Sequence, residues 1–442
     1  MSSFASQYPV INNGISIHFW DNISIITDED GILSAYTDVK YEVNEQYTDV
    51  LELCDGSNSV ESICQKLSYI YNANDDHSVR ENVATMIEQL CTENIIHFEN
   101  LPTTPRKFWG ERGLTYPIHV SIEVTNKCNF SCNFCYKNAN FVGACITTKI
   151  IDDVYSLIGE KTKSIQFTGG EPFLCDNIDK YINMFSNHNI SIITNGSLLY
   201  THDDDILKKV SLYQISLYGS NEDEYTINTR NTIGWNNIVL SIKKLNRIGC
   251  KYHLSVVLNK ENYTKIDDYI RAAIKLNARK IVFGTQTPVG RGMSSNSCLT
   301  VDEFRMAYRL MRLARRKYNN YIDIEEWSHN GYQTNDSKNS DDSRGKSYQG
   351  LLGCGGGTSQ FVISQNGKVR PCELLPESYF DLGGIEVIQQ AIHGKYLDNS
   401  ISYRARKFNN ELWNHGKDFA QFCEPFERLL KGHSNDDTEA AT

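Results

Sequence analysis

The chain has 442 residues, of which 40% are hydrophobic and 22% charged, and a formal net charge of -10. That length accommodates roughly two to four domains of ordinary size, and the composition is that of a packed globular protein, which excludes disorder as the main state. The first thirty residues show no Lys or Arg ahead of an apolar run, and no later stretch is apolar for the ~18 residues a membrane helix requires, so a cytoplasmic chain with no membrane segment is expected.

Charge is unevenly spread. Residues 1–100 hold three basic side chains (Lys40, Lys66, Arg80) against seventeen acidic ones, 3 - 17 = -14, which leaves +4 for the rest. Phosphate binding needs Lys and Arg, so nucleic acid is excluded as the partner of this first segment and a cationic partner is allowed. Thirteen cysteines exceed what packing needs, and in a reducing compartment they read as metal or redox ligands before disulfides.

In chain order, Ile15, Ile17 and Phe19, then Ile23 and Ile25, then Val39, Tyr41 and Val43 alternate with polar neighbours, the period of half-buried strands. Helical spacing follows. Ser59 is placed to cap a helix carrying Val60, Ile63, Leu67 and Ile70, and Ser78 with Glu81 forms a capping box ahead of Val79, Val83, Met86, Ile87 and Leu90. Three strands and about three helices predict a winged-helix-like α+β module over 1–100. A three-proline linker over 101–117 follows it. Six strand-like runs then alternate with helical candidates (147–160, 203–210, 235–248, 263–276 and 301–317): HVSIEV, SIQFTGG, ISIITNG, LYQISLYG, YHLSVVLN and KIVFGTQ. This is the grammar of parallel βα units, predicting an α/β region over 118–328 that closes as a partial (β/α)6 TIM-type barrel with its chemistry at the C-terminal strand ends. A polar stretch at 329–352 reads as a mobile insert, 353–430 as a small cysteine-bearing domain, and 431–442 as a disordered tail.

Cys128, Cys132 and Cys135 stand as C-x3-C-x2-C directly after the first strand of the βα region. Three thiolates on one loop can hold three irons of a cubane and leave the fourth without a protein ligand. Zinc is the alternative, but its sites pair two C-x2-C hooks or add His, and no such partner is nearby; packing cysteines are the third reading. The triad, with Phe134 before its last Cys, resembles that of the radical S-adenosylmethionine (SAM) enzymes, and the resemblance extends over about 115–430. It implies a [4Fe-4S] cluster whose open iron chelates the amino and carboxylate groups of SAM, reductive cleavage of the sulfonium, and hydrogen abstraction by the 5'-deoxyadenosyl radical. Thr168-Gly169-Gly170-Glu171-Pro172 matches the family's GGEP, where backbone carbonyls receive the methionine ammonium. Asn195 and Ser216 occupy later strand ends where the family makes ribose and carboxylate contacts; Arg230 and Asn259 are further candidates, with a structural role as the alternative for each. No protein base is evident.

Further on, Cys354, Cys372 and Cys423 surround a hairpin pattern with Asn366-Gly367 as its turn. This resembles the twitch or shortened SPASM extension of radical SAM enzymes and implies one auxiliary Fe-S cluster, its fourth ligand being Cys298, a non-Cys residue or an open site for a substrate thiolate. The other seven cysteines read mostly as small core residues. Thr287-Pro288-Val289-Gly290-Arg291-Gly292 is typical of peptide-modifying members, with Arg291 available to substrate carboxyl or backbone groups.

The first hundred residues, through VKYEVNEQYTDVLELCDGSNSVESICQKL and ENIIHF, resemble the recognition element of enzymes that mature ribosomally synthesised and post-translationally modified peptides (RiPPs). That resemblance implies a precursor peptide whose leader adds as a strand beside the third strand and packs on the last helix. The whole resembles sactipeptide and ranthipeptide synthases. It implies thioether formation at Cys, with an electron donor such as flavodoxin or ferredoxin. A carbon–carbon or ether cross-linker, a peptide epimerase and a non-catalytic Fe-S leader-binding protein remain as alternatives.

Overall fold

The computed structural model describes residues 2–28, 39–71, 76–105, 108–286, 290–294, 297–326, 356–357, 359–374, 377 and 381–394. Cys354, Cys423, Thr287, Pro288, Val289, the insert expected at 329–352 and the tail expected at 431–442 lie outside the described residues.

The N-terminal module opens with a short helix α1 (Ser2–Ala5) and continues through β1 (Tyr8–Ile11), β2 (Ile15–Asp21), β3 (Ile23–Asp28) and β4 (Val39–Val43). Helices α2 (Glu45–Leu53), α3 (Val60–Ile70) and α4 (Asp76–Thr92) follow, then β5 (Ile96–Glu99). Ser59 caps α3 by accepting from Ser62 N, as its position predicts. Ser78 does not cap α4: the helix is already under way at Asp76, so Ser78 falls inside its first turn. Ile15, Ile17, Phe19 and Ile26 pack against Val50, Leu51, Ile63, Leu67 and Ile87 to make the module's core. Each such buried side chain contributes about 1.5–3 kcal/mol relative to exposure.

The expectation that β2 is half-buried needs correction, because its opposite face is covered too. Ser16, His18 and Trp20 are buried, Trp20 packs with Ile25 and Ile118, and the His18 ring lies 3.2 Å from Tyr116 O. The segment expected to be a linker provides the cover and also a strand, β6 (Trp109–Arg112), parallel to β2. The order of this sheet is β4-β3-β2-β6, so β4 is an edge strand. The module thus sits near the N-terminal ends of the barrel strands, where Lys163 Nζ donates to Thr27 Oγ1 and Asp28 O, each at 2.6 Å.

In the second unit β7 (His119–Thr125), β8 (Ser164–Gly169), β9 (Asn189–Thr194), β10 (Leu212–Ser216), β11 (Tyr252–Leu258) and β12 (Lys280–Thr285) run parallel in sequence order, the six expected strands of a partial barrel. A seventh parallel strand, β13 (Asp323–Glu326), pairs with β12; its sequence, DIEE, is too short and charged to announce itself. On the other edge β14 (Gln360–Ile363) runs parallel to β7 and β15 (Val369–Arg370) antiparallel to β14. Gly367, at φ +83°, makes the turn between them as predicted. The described part of the C-terminal region therefore extends the barrel sheet.

Helices α5 (Thr148–Ile158), α6 (Ile178–Met184), α7 (Asp204–Leu207), α8 (Glu222–Thr229), α9 (Gly234–Ile248), α10 (Ile266–Lys275) and α11 (Val301–Tyr318) link the strands, and α12 (Glu386–Ile392) follows β15. One face of the sheet, with Ile122, Ile165, Phe167, Ile192 and Ile215, packs on Ile151, Val154, Ile182 and Ile238 of the helices. The alternate positions are polar: Gln166 Nε2 donates to Ser121 Oγ at 2.9 Å, and His253 Nε2 lies 3.3 Å from Gln214 Oε1. Period-two alternation therefore separates an apolar outer layer from a polar lumen.

Candidate functional site

The residues singled out for SAM and cluster binding between 128 and 216 lie at the C-terminal ends of neighbouring strands or on the loops that leave them. The loop after β7 carries Cys128, Cys132 and Cys135. It is held chiefly by main-chain groups: Cys128 N donates to Asn140 O at 2.7 Å, and Ser131 N donates to Thr229 O at 3.1 Å. Arg291 is the main side-chain clamp. Its Nε donates to Cys132 O at 2.7 Å and its Nη1 to Ala139 O at 2.8 Å, while its own N–H reaches Cys135 O at 2.9 Å. Gly290 lets it approach, since a Cβ there would stand 2.5 Å from Cys135 O. The arginine expected to meet substrate thus braces the cysteine loop in this structure.

Burial pushes the Cys128 thiol up to about 12, with the Glu171 carboxylate adding and the Phe130 N–H opposing. The Cys132 thiol is raised too, by burial first and then by Cys135 and Cys128, so the three sulfurs feel one another. Arg291 is the cation that opposes this. Phe134 packs on Tyr218 at 5.7 Å between ring centroids, and Tyr218 in turn meets Phe130 and Tyr225. Burial, then Cys132, holds the Tyr218 phenol well above its usual range, and Ser216 hydrogen-bonds it.

The GGEP turn follows from backbone crowding. Gly170 N donates to Thr125 O at 2.7 Å and Glu171 N to Lys127 O at 2.8 Å, so the turn lies against the chain entering the triad. A Cβ on Gly169 would stand 2.1 Å from Thr125 O, and one on Gly170 1.9 Å from Lys127 O; neither position admits a side chain. Glu171 points inward, not into the opening. Its buried carboxylate accepts from Thr194 Oγ1 at 2.7 Å, Asn195 N at 2.8 Å and Phe173 N at 3.2 Å. Burial raises its pKa to about 7 against those donors. Asn195 is buried as well, its Nδ2 2.8 Å from Asn129 Oδ1 and 3.9 Å from Cys128 Sγ. Asn259 joins Gln286 at 3.3 Å, and exposed Arg230 takes the left-handed position that ends α8.

Beneath the triad loop is a buried ionic cluster that sequence reasoning missed. Glu123, inward on β7, pairs with both Lys137 and Arg370, and Glu373 pairs with Ser121 and Gln166. Tyr136 Oη donates to Glu373 Oε2 at 3.4 Å. Burial, followed by the Arg370 charge, holds the Lys137 amine well below its usual range. Cys372 stands within this group, between Arg370 and Glu373, and adds to the field at Lys137. Little in the sequence warns of it: HVSIEV alternates polar His119, Ser121 and Glu123 with apolar residues, and only the burial of every position of β7 shows that the Glu123 charge has to be paired. Cys298 lies at the entry to α11 beside Lys260.

Among the described residues no three His, Cys, Asp or Glu side chains close on a single-ion site. The fit of the triad to a four-iron cluster rests on its donor set: three thiols on one braced loop, two of which, Cys128 and Cys132, are held up by burial, so that a cationic core would favour their thiolates. The two glycines beside them are half-buried and pack directly on the chain that enters the triad.

Comparison with known proteins agrees with this geometry. Residues 122–273 match the Radical SAM superfamily and residues 32–96 match Coenzyme PQQ synthesis protein D (PqqD). The chain is 25% identical over 307 residues to the sporulation killing factor maturation protein SkfB of Bacillus subtilis, covering 62% of this chain and 70% of that protein. It is 21% identical over 432 residues to the antilisterial bacteriocin subtilosin biosynthesis protein AlbA of the same organism, covering 94% and 91%. The fold is that of Streptococcus suis SuiB in complex with its precursor peptide SuiA, with a TM-score of 0.60 at 15% identity over 88% of this chain and 90% of that one. The chain joins a radical SAM domain to a PqqD-like recognition element.

Proposed function

We propose that this radical SAM enzyme matures ribosomally made precursor peptides, closing Cys thioether bonds in them. On this reading Cys128, Cys132 and Cys135 hold a [4Fe-4S] cluster at which SAM binds. The observation that carries it is the pairing of a cysteine loop at the mouth of a polar lumen with a module whose β4 is an edge strand. When bound, the cluster and SAM supply one-electron, hydrogen-abstracting chemistry that no side chain offers.

The chain's own residues bind and shield. The main chain at Gly169 and Gly170 is the place for the methionine ammonium, with Asn195 and Ser216 beside it. Phe134, Tyr218, Phe130 and Tyr225 form an aromatic wall that keeps water from the reacting atoms. Glu171 acts through Asn195, whose backbone it fixes. Cys372, with Cys354 and Cys423, is the proposed auxiliary Fe-S site, suited to accept the second electron that cross-linking releases; flavodoxin or ferredoxin is the proposed donor of the first.

Peptide substrates are supported by the relatives' own descriptions: one matures a killing factor, another makes a bacteriocin, and SuiB binds a precursor peptide. The leader would extend the β4 edge and pack on α4. Reconstituted enzyme with SAM, dithionite and a Cys-containing precursor peptide, to be sought as a small open reading frame beside its gene, tests this. The expected product has lost two hydrogens per bond and as many alkylatable thiols as bonds. Loss of hydrogens with every thiol still reactive would favour carbon–carbon closure, and unchanged mass with an inverted centre would favour epimerisation.

A further inference from the structure

Glu123 lies between two segments that are remote in sequence. Lys137, two positions after Cys135, and Arg370, two positions before Cys372, both bring their cationic ends to the same oxygen, Glu123 Oε1. All three side chains are almost wholly buried, at 7%, 12% and 4% exposure. Glu373 repeats the connection. Its carbonyl oxygen lies 3.5 Å from both Lys137 Nζ and Arg370 Nη1, while its carboxylate accepts from Tyr136. The strand is the fixed part, since Ser121 and Gln166 anchor the Glu373 carboxylate to β7 and β8.

Two cations and a carboxylate buried together, with the half-buried Glu373 carboxylate beside them, tolerate the loss of no single buried member, because whatever remains is an uncompensated charge in a low-dielectric interior. Such a group moves as a unit. It joins the exit of the triad loop to the segment bearing Cys372, and it is the shared set of side chains between them. We propose that Glu123 is a positioning residue that holds these two segments in one arrangement, so that a disturbance at either is felt at the other. The inference rests on the proposed function only for what the cysteines bind; the mechanical coupling is independent of it.

Hydrogen exchange of the full-length, iron-reconstituted protein, read by mass spectrometry, tests the coupling without measuring turnover. Arg370→Met is expected to speed exchange of residues 135–139 by about tenfold or more, and Lys137→Met to do the same at residues 369–373, with β9 amides unchanged. Arg370→Lys, which keeps the charge, is expected to restore most of the protection at 135–139. Acceleration confined to the substituted segment overturns the proposal, as does equal acceleration at β9, which would mark general destabilisation. Glu123→Asp keeps the network neutral and shortens its reach; it is expected to loosen both segments together, and loosening of neither overturns the proposal even if the methionine variants fail to fold. Failure of the proposed chemistry would instead appear as absent 5'-deoxyadenosine in a protein whose exchange coupling is intact.

Discussion

The triad loop and the Cys372 segment are both cysteine-bearing stretches beside β7, yet different forces hold them. From Cys128 to Cys135 the triad loop is fixed by main-chain hydrogen bonds, by glycines that allow close approach and by one guanidinium on its carbonyls, and only its exit at Lys137 reaches Glu123. The Cys372 segment is fixed by the buried Arg370–Glu123 ion pair and by hydrogen bonds from Ser121 and Gln166 to the Glu373 carboxylate, all from side chains distant in sequence. Backbone-held geometry can be written in a contiguous motif, because each group needed is a few residues away. Charge-held geometry cannot, because each partner comes from another strand.

The largest effect should come from the triad. Cys132→Ala is expected to lower 5'-deoxyadenosine formation by about a thousandfold or more, ~4 kcal/mol of barrier. Cys372→Ala should leave uncoupled SAM cleavage within about tenfold of the parent. Equal loss in both, measured by chromatography of quenched reactions, would break the distinction between the sites.

Next in size is Gly170→Ala. The added methyl meets Lys127 O at 1.9 Å, and backbone cannot yield as a flexible side chain would. Displacing the turn is expected to weaken SAM binding by about a hundredfold, ~2.7 kcal/mol by calorimetry. Gly14→Ala, with nothing within 4 Å, is the silent control.

Acid should act on the lumen strands that carry both regions. Burial lowers His119 to about 4 and His253 to about 3, both on lumen strands. Each folded value lies below the unfolded one, so stability is present above about pH 6.5 and is lost as pH falls toward 4, by roughly 3 kcal/mol per residue. Denaturant melts at pH 7 and pH 4.5 check this; His253→Gln should flatten part of the slope. Arg291→Met removes two side-chain bonds to triad-loop carbonyls, a loss of about 2–3 kcal/mol that should appear as lower iron content at every pH in this range.

How much was legible follows the same division. The six parallel strands, the Ser59 cap, the Asn366-Gly367 turn and the triad are local patterns of period or spacing, and they stand where the residues indicated. β13 and β6 were not legible, being short, polar strands made only by the neighbour they pair with. The inward carboxylate of Glu171 was misleading for a related reason: a motif identifies the turn, while Thr194 and Asn195, from the next strand, decide where its side chain points. Lys137 and Arg370 carried no local sign of being partners. Glu123 gave no sign either, since it falls in register with His119 and Ser121 on what reads as the polar face of a half-buried strand.

The smallest effect concerns exposed charge. The N-terminal module carries its excess of acid on the surface, and Glu45, Glu88 and Glu93 are exposed around the β4 edge and α4. Exposed charges are screened over about 8 Å at physiological ionic strength, whereas the Glu123 cluster is sheltered from mobile ions. Raising salt should therefore weaken leader binding, on the order of tenfold between dilute and half-molar salt for a leader rich in Lys or Arg near its docking segment, while leader-independent SAM cleavage holds nearly steady. Fluorescence anisotropy of a labelled leader against ionic strength measures the first, and nucleoside release the second. A leader affinity indifferent to salt would mean that the acidic surface has no part in recognition, leaving main-chain pairing along β4 and apolar contacts with α4 to supply it.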